Sequence, residues 1–238
     1  MTLEQNLRSA PFTLALSSGF FGFFAHYGLT KALDEKGLKP KRVTGSSAGA
    51  ILAAALAYGL PDHEIKSVLL NLKRNHFWDP AFGFGLLKGE RLEALVREIL
   101  QGYSQIMPIS ISTFDILKRK TKSFDEGDIA RFVRASCAVP VMFHPVRIEG
   151  RRYWDGGVLD KLALNSVQPG ERVLVHGLPS QGVHQLVEGR SDFAQISQKY
   201  FVIDPQNLPA VGPYALEKGP EAIEQAYQNA LCALTASN

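Results

Sequence analysis

The sequence contains little cysteine and no long uninterrupted apolar segment. Its 238 residues include only two cysteines, Cys137 and Cys232, and neither has a partner at metal-ligand spacing. This scarcity argues against a disulfide framework and favours a reducing compartment. The most apolar stretch, residues 11–29, is interrupted by serine and glycine. We interpret it as a first strand and turn rather than a signal peptide, and predict a cytoplasmic protein without a membrane-spanning segment.

A strong excess of charge of either sign is also missing. The formal net charge is +3, which is too small to indicate a nucleic-acid partner. Two short basic clusters, residues 36–42 and 147–152, are typical of solvated surface and less often of contact with anionic lipid. Hydrophobic residues make up 45% of the chain and charged residues 21%, as in ordinary globular proteins. We therefore expect one domain that spans residues 1–238.

Strand-like and helix-like segments alternate along the chain. Short apolar runs such as Phe12–Ser17 predict strands, and the run that ends at Gly37 predicts the first helix. A later helix is predicted to be capped by Asp62 and to extend to about Arg74. This alternation indicates an α/β fold with a mostly parallel sheet covered on both faces.

The segment Gly45-Ser46-Ser47-Ala48-Gly49 has the G-x-S-x-G spacing with Ser47 at its centre. A strand precedes it and a helix rich in small residues follows. In this context the motif predicts a sharp turn that exposes the central serine as a nucleophile at a helix N-terminus. The alternative is that Ser46 or Ser47 merely caps the helix.

A serine nucleophile needs a base, and the sequence offers two kinds. Asp155 lies in "WDGG", where two following glycines would let its carboxylate approach another backbone closely. Because an ordinary aspartate is a weak base, a Ser–Asp dyad requires a buried and hydrogen-bonded Asp155. An Asp-Gly turn is the simplest alternative. A conventional triad would use His176 or His184, but residue 47 leaves room for only about two strands ahead of the nucleophile.

The loop "SSGFFG", Ser17–Gly22, follows the first strand and precedes the first helix. Its N–H groups are candidates for stabilising an acyl oxyanion. The loop is also similar to a dinucleotide-binding turn, but no acidic residue ends a strand about twenty residues later. We therefore favour the oxyanion interpretation.

Together, these three elements resemble the patatin-like phospholipase family. The similarity rests on "LALSSGFFGFFAHYGLTKALDEKG", "VTGSSAGA" and "DIARFVRASCAVPVMFHPVRIEGRRYWDGGVLDKLAL". The resemblance implies a three-layer α/β/α fold and a dyad of Ser47 as nucleophile and Asp155 as base. It also implies an oxyanion hole formed by the backbone of Ser18, Gly19 and Phe20. The motif glycines carried over by position are Gly22, Gly45, Gly49, Gly156 and Gly157.

The opening loop departs from the family pattern. The family usually has three consecutive glycines there, often followed by a basic residue. Here Gly19 is the only glycine of that triplet, and no basic residue precedes Lys31. This difference motivates a second hypothesis, a catalytically weak lipid-binding protein that keeps the fold.

We expect a serine acyl hydrolase, a phospholipase A or lipid esterase, that acts on lipid or phospholipid substrates without a metal or cofactor. Phe20 or Phe21 is a candidate wall of an acyl-chain pocket. The Gly-rich segment with Trp78, Phe82 and Phe84 is either a packed flap or a peripheral membrane contact.

Overall fold

The structure is a computed structural model that describes residues 1–178 and 200–236. Within these residues we number helices and strands in chain order. The helices are α1 (Leu3–Ser9), α2 (Phe23–Glu35), α3 (Ala48–Ala57), α4 (Asp62–Leu70), α5 (Glu90–Ile99), α6 (Ile129–Ser136) and α7 (Gly219–Thr235). The strands are β1 (Thr13–Leu16), β2 (Arg42–Ser46), β3 (Gly85–Leu87), β4 (Ile109–Asp115), β5 (Lys120–Phe124), β6 (Val141–Phe143), β7 (Val146–Ile148), β8 (Arg151–Asp155), β9 (Val173–His176) and β10 (Tyr200–Ile203).

Eight of the described strands form one sheet in the order β10-β9-β1-β2-β4-β8-β7, with β5 paired to β4. The first five strands of this order pair in parallel. Strands β5, β7 and β8 add antiparallel pairs at one side. Strands β3 and β6 form a separate parallel pair. The predicted α/β fold with a mostly parallel central sheet is confirmed.

The two faces of the sheet bury different parts of the core. Leu14 and Leu16 point into the larger core, which contains residues of α2, α3 and α6, whereas Ala15 between them packs against Leu162 and Leu164. This alternation follows from the two-residue period of a strand. Every residue of β1 is buried, as expected for a central parallel strand.

Helices α2 and α7 pack closely because Gly28 has no side chain. A Cβ atom at Gly28 would lie 2.9 Å from the Cβ atom of Ala226 and would overlap the Ile223 carbonyl oxygen. Helix α7 is therefore part of the core, and it packs against α2.

The expected cap at Asp62 is wrong. Pro61 occupies the N-cap position without a capping side chain, and Asp62 is the first helical residue. The Asp62 carboxylate accepts a hydrogen bond from the Tyr27 hydroxyl at 2.7 Å instead. Helix α4 ends at Leu70, and residues 74–76 form a separate short 3-10 helix.

Candidate active site

Ser47 lies in the sharp turn between β2 and α3. Its φ of 51° and ψ of −119° lie outside the helical region, and its side chain makes no capping hydrogen bond. A non-glycine residue in such a conformation costs about 1–3 kcal/mol, which the surroundings must offset. The Ser47 N–H donates to Ser136 Oγ at 2.8 Å, and the Ser136 hydroxyl donates to the Ser112 carbonyl at 2.6 Å. Strand β4 and helix α6 thus hold the turn.

The glycines on either side of Ser47 permit close backbone contacts. A Cβ atom at Gly45 would lie 2.6 Å from Ala50 Cα, and one at Gly49 would overlap the Leu16 carbonyl oxygen. Helix α3 therefore begins directly against the ends of β1 and β2. The small residues of the motif are required by this packing as well as by the turn.

Strand β4 brings Asp155 to Ser47. Ile111 and Ser112 pair with both β2 and β5, and Thr113–Asp115 pair with both β5 and β8. Because each strand has only two edges, β2 and β8 must share one edge of β4, end to end. Ser46 lies opposite Ser112, and Asp155 lies opposite the next residue, Thr113.

The two glycines after Asp155 let this junction close. A Cβ atom at Gly156 would lie 2.7 Å from Ser46 Oγ and would overlap the Ser112 carbonyl oxygen. A Cβ atom at Gly157 would lie 2.7 Å from Ser18 Oγ. The "WDGG" turn is therefore packed against both strand β2 and the opening loop.

Asp155 is 5% exposed, and burial raises the pKa of its carboxyl group to about 6. Hydrogen bonding from Ser47 and from the Gly157 N–H, at 2.7 Å to Oδ1, lowers this pKa and partly offsets the effect of burial. Oδ2 has no partner at standard hydrogen-bond geometry among the described residues. The side chains of Ser47 and Asp155 are thus within interaction range.

The opening loop places two backbone N–H groups beside Ser47 that have no hydrogen-bond partner among the described residues. The Ser18 N–H, one of three predicted oxyanion donors, donates to the Lys161 carbonyl at 2.7 Å and is therefore engaged. The N–H groups of Gly19 and Phe20 make no hydrogen bond to another described residue. The Gly22 N–H closes the loop by donating to the Gly19 carbonyl at 2.9 Å.

Two buried histidines lie behind this loop. His26 Nε2 is 2.9 Å from the Ser17 carbonyl, and His26 Nδ1 is 2.7 Å from His176 Nδ1. Because a carbonyl only accepts, His26 carries its proton on Nε2 and accepts from the Nδ1–H of His176. Burial lowers the pKa of His26 to about 4 and that of His176 well below its usual value, so both are neutral near pH 7. His184 lies outside the described residues.

An apolar cavity of about 190 Å³ opens beside Ser47. Among the described residues that line it, Ser47 alone carries a hydroxyl group and none is charged. Phe20 and Phe21 form one wall, and helices α4 and α5 form others through residues such as Leu69 and Leu92. The site therefore combines a polar pair, Ser47 and Asp155, with an apolar cavity.

Sequence reasoning missed Ser136 and the role of its neighbour Cys137. Cys137 is buried, lines the cavity, and donates from Sγ to the Ser47 carbonyl at 3.2 Å. Burial raises the pKa of its thiol well above the usual value, so it is not a thiolate. No sequence signal connects residues 136 and 137 to residue 47, because the contact is made through the packing of α6 on β4.

Within the described ranges, no group of histidine, cysteine or acidic residues has the arrangement of a metal site. In the same part of the chain, no helix has the length and apolar character needed to span a membrane.

Comparisons with known proteins identify relatives over most of the chain. An uncharacterized NTE family protein of Mycobacterium tuberculosis is 34% identical over 158 residues, which cover 63% of this chain and 44% of the relative. The uncharacterized protein YqhO of Bacillus subtilis is 27% identical over 174 residues, 58% of this chain and 60% of the relative. The chain thus spans about half the length of these relatives.

Solved structures share the fold at low sequence identity. VipD from Legionella pneumophila superimposes with a TM-score of 0.72 at 17% identity, over 94% of this chain and 66% of its own. The type III effector ExoU superimposes with a TM-score of 0.56 at 17% identity, over 94% of this chain and 52% of its own. These likenesses confirm the predicted α/β/α fold class. The sequence model described as patatin-like phospholipase matches residues 14–167. Since this match covers more than half of the chain, the protein belongs to the patatin-like phospholipase family.

Proposed function

We propose that this protein is a serine acyl hydrolase that cleaves carboxylic esters of lipids or phospholipids. One observation carries the proposal: Ser47 lies on a strained turn within interaction range of a buried aspartate, and it faces an otherwise apolar cavity. A polar nucleophile at the wall of an apolar cavity suits a substrate with a reactive ester and a long hydrocarbon chain. Membership of the family supports the same class of reaction.

In the acylation step, the Ser47 hydroxyl attacks the ester carbonyl and transfers its proton to Asp155. The N–H groups of Gly19 and Phe20 stabilise the resulting oxyanion, and one such donor contributes roughly 3 kcal/mol to lowering the barrier. Collapse of the tetrahedral intermediate breaks the bond to the alcohol, which leaves with the proton held by Asp155. Ser47 then carries the acyl group as an ester, with its chain in the cavity.

In the deacylation step, Asp155 takes a proton from a water molecule, which attacks the acyl-enzyme carbonyl. The second tetrahedral intermediate collapses, the bond to Ser47 breaks, and the proton returns to the serine oxygen. Free fatty acid leaves. The raised pKa of Asp155 favours both steps, because a carboxylate with a pKa of about 6 is a stronger base than an ordinary one.

Fatty-acid release from phospholipid vesicles and from a p-nitrophenyl ester tests the proposal. We expect Ser47→Ala and Asp155→Asn each to reduce turnover by at least about 1,000-fold, the order seen when catalytic groups of serine hydrolases are removed. Ser46→Ala is the matched control. Its Oγ is buried and has no hydrogen-bond partner among the described residues, so its loss should change turnover little. Equal activity of wild type and Ser47→Ala would refute the proposal.

Two alternatives make different predictions. If the base were a histidine of a triad, His184→Ala would abolish activity, whereas the dyad predicts no loss. We choose His184 for this test because the His176 ring already contacts His26. A lipid-binding protein without catalysis would not react with a fluorophosphonate probe. The dyad predicts covalent labelling of wild type and of Ser46→Ala, and none of Ser47→Ala.

A further inference from the structure

An exposed apolar patch lies beside one wall of the cavity. We name Phe82, Phe84, Leu86 and Val141 the aromatic rim. All four are large and exposed, Phe82 fully and Phe84 to 72%. Leu86 also lines the cavity, so the rim is continuous with it. The β3–β6 pair, in which Gly85 lies opposite Val141, supports this patch.

A concentration of positive charge adjoins the rim. The two turns "DILKRK", residues 115–120, and "RIEGRR", residues 147–152, contain six basic and two acidic residues. They lie side by side, because the Ile116 N–H donates to the Arg152 carbonyl at 3.1 Å. We call these turns the basic hairpin pair.

The rim and the basic hairpin pair touch each other. The Arg152 guanidinium lies 5.4 Å from the centre of the Phe84 ring. Arg147 is the cross-strand partner of Arg152, and both are exposed. Neither forms an ion pair with any described residue, whereas Arg151 pairs with Asp115 at 3.2 Å. The Arg152 guanidinium is therefore presented beside an exposed aromatic ring, and Arg147 on the neighbouring strand is a second exposed arginine without an ion pair among the described residues.

This composite surface lies at the same end of the sheet as the reacting pair. The turn 116–119 follows the carboxyl end of β4, and Ser47 follows the carboxyl end of β2, which runs parallel to β4. A flat partner in contact with the rim would therefore face the end of the sheet where Ser47 lies.

We propose that the aromatic rim and the basic hairpin pair form a docking surface for an anionic phospholipid bilayer. Aromatic side chains partition into the interfacial zone of a bilayer, and arginines beside them attract acidic head groups. Charge complementarity selects an anionic surface, and continuity with the apolar cavity provides a route for an acyl chain. Only the purpose of docking, delivery of a lipid to the cavity, rests on the proposed lipid-hydrolase function. Binding to the bilayer is independent of catalysis.

Vesicle flotation of the full chain tests this surface. Vesicles of phosphatidylcholine alone are compared with vesicles that contain 30 mol% phosphatidylglycerol, at about 50 and 500 mM NaCl. We expect preferential binding to the anionic vesicles that weakens with salt. Phe82→Ser combined with Phe84→Ser should weaken binding by about tenfold per phenylalanine that inserts. Arg147→Gln combined with Arg152→Gln should lower anionic binding by about fivefold per arginine and remove the lipid preference.

The controls lie at the opposite end of the sheet. Ile106 is 72% exposed and precedes the start of β4, and Lys39 and Lys41 precede the start of β2. Ile106→Ser and the Lys39→Gln, Lys41→Gln pair should bind like wild type. All variants should unfold at the wild-type temperature and hydrolyse a soluble p-nitrophenyl ester at the wild-type rate.

Several outcomes would overturn the docking surface. They are failure of wild type to float, an equal loss in the control variants, or no preference for anionic vesicles. If light scattering shows a dimer of the wild-type protein, and Phe82→Ser combined with Phe84→Ser dissociates it, the rim is instead an interface with a second copy of the chain. The two proposals can fail separately. Flotation of a wild-type protein that hydrolyses no ester would reject the enzyme and keep the surface. Ser47→Ala should float like wild type, because binding does not depend on catalysis.

Discussion

The raised pKa of Asp155 predicts a specific dependence of catalysis on pH. If Asp155 is the base, only its ionised form is active, and its pKa is about 6. At pH 5 about a tenth of the molecules would then be competent, against more than nine tenths for an aspartate with an ordinary pKa near 3.9. The value of kcat/KM should therefore rise about tenfold per pH unit below pH 6 and level off above about pH 7.

The assay is initial-rate hydrolysis of a soluble p-nitrophenyl ester between pH 4 and pH 8, with stability monitored in parallel by fluorescence. Asp155→Asn should abolish the acid limb together with the activity. Two results would contradict the reasoning. An acid limb near pH 4 would mean that burial does not raise the pKa of the base, and a limb near pH 6.5 that disappears in His184→Ala would identify an imidazole base.

Four further predictions concern stability and positioning. The Asp155 pKa is higher in the folded state than in the unfolded chain, so the contribution of Asp155 to stability falls by about 3 kcal/mol as pH rises from about 4 to 6. Urea unfolding at pH 8 should therefore show that Asp155→Asn is more stable than wild type by up to this amount. The contribution of His26 to stability changes with pH in the opposite direction, because its pKa of about 4 in the fold lies below the usual 6.5. In Asp155→Asn, which lacks the contribution of Asp155, the free energy of unfolding should therefore fall by about 3 kcal/mol or more between pH 6.5 and pH 4, while that of wild type changes less. Ser136→Ala should lower kcat by roughly 10- to 100-fold with little change in KM, as expected for a residue that only supports a catalytic group. Ser110→Ala is the control and should leave kcat unchanged, because the buried Ser110 Oγ has no hydrogen-bond partner among the described residues. Gly49→Ala should destabilise the fold by at least about 2 kcal/mol because of its overlap with Leu16, and Gly212→Ala, which has open space around it, should have an effect below about 0.5 kcal/mol.

The parts of the site that depend on local chain geometry were predictable from the sequence. The turn at Ser47 follows from a strand, two glycines and a small-residue helix in direct succession. The glycines after Asp155 likewise indicate close approach, although the sequence does not say to what. The order of strands and helices was sufficient for the fold class.

The remaining features depend on contacts between distant residues. The Ser18 N–H is engaged by Lys161, 143 positions away, so the choice of oxyanion donors cannot be made from the loop alone. His26 and His176 are 150 positions apart in the sequence but in contact in the fold. His176, a candidate base in the sequence, therefore supports the opening loop through His26. Asp62 matched the pattern of a cap, but the buried Tyr27 hydroxyl offered it a tertiary partner, and Pro61 took the N-cap position.

The end-to-end arrangement of β2 and β8 along one edge of β4 has a consequence for the assembly of the candidate site. If Asp155 is the base, a nascent chain that has reached the end of β4 has the serine turn but cannot react, because Asp155 lies about forty residues further along the chain. Under the proposed dyad, catalytic competence therefore appears only when β8 fills the vacant half of that edge. A chain divided at the turn of residues 149–150 would make this step visible, since two inactive fragments would become an esterase when they are mixed.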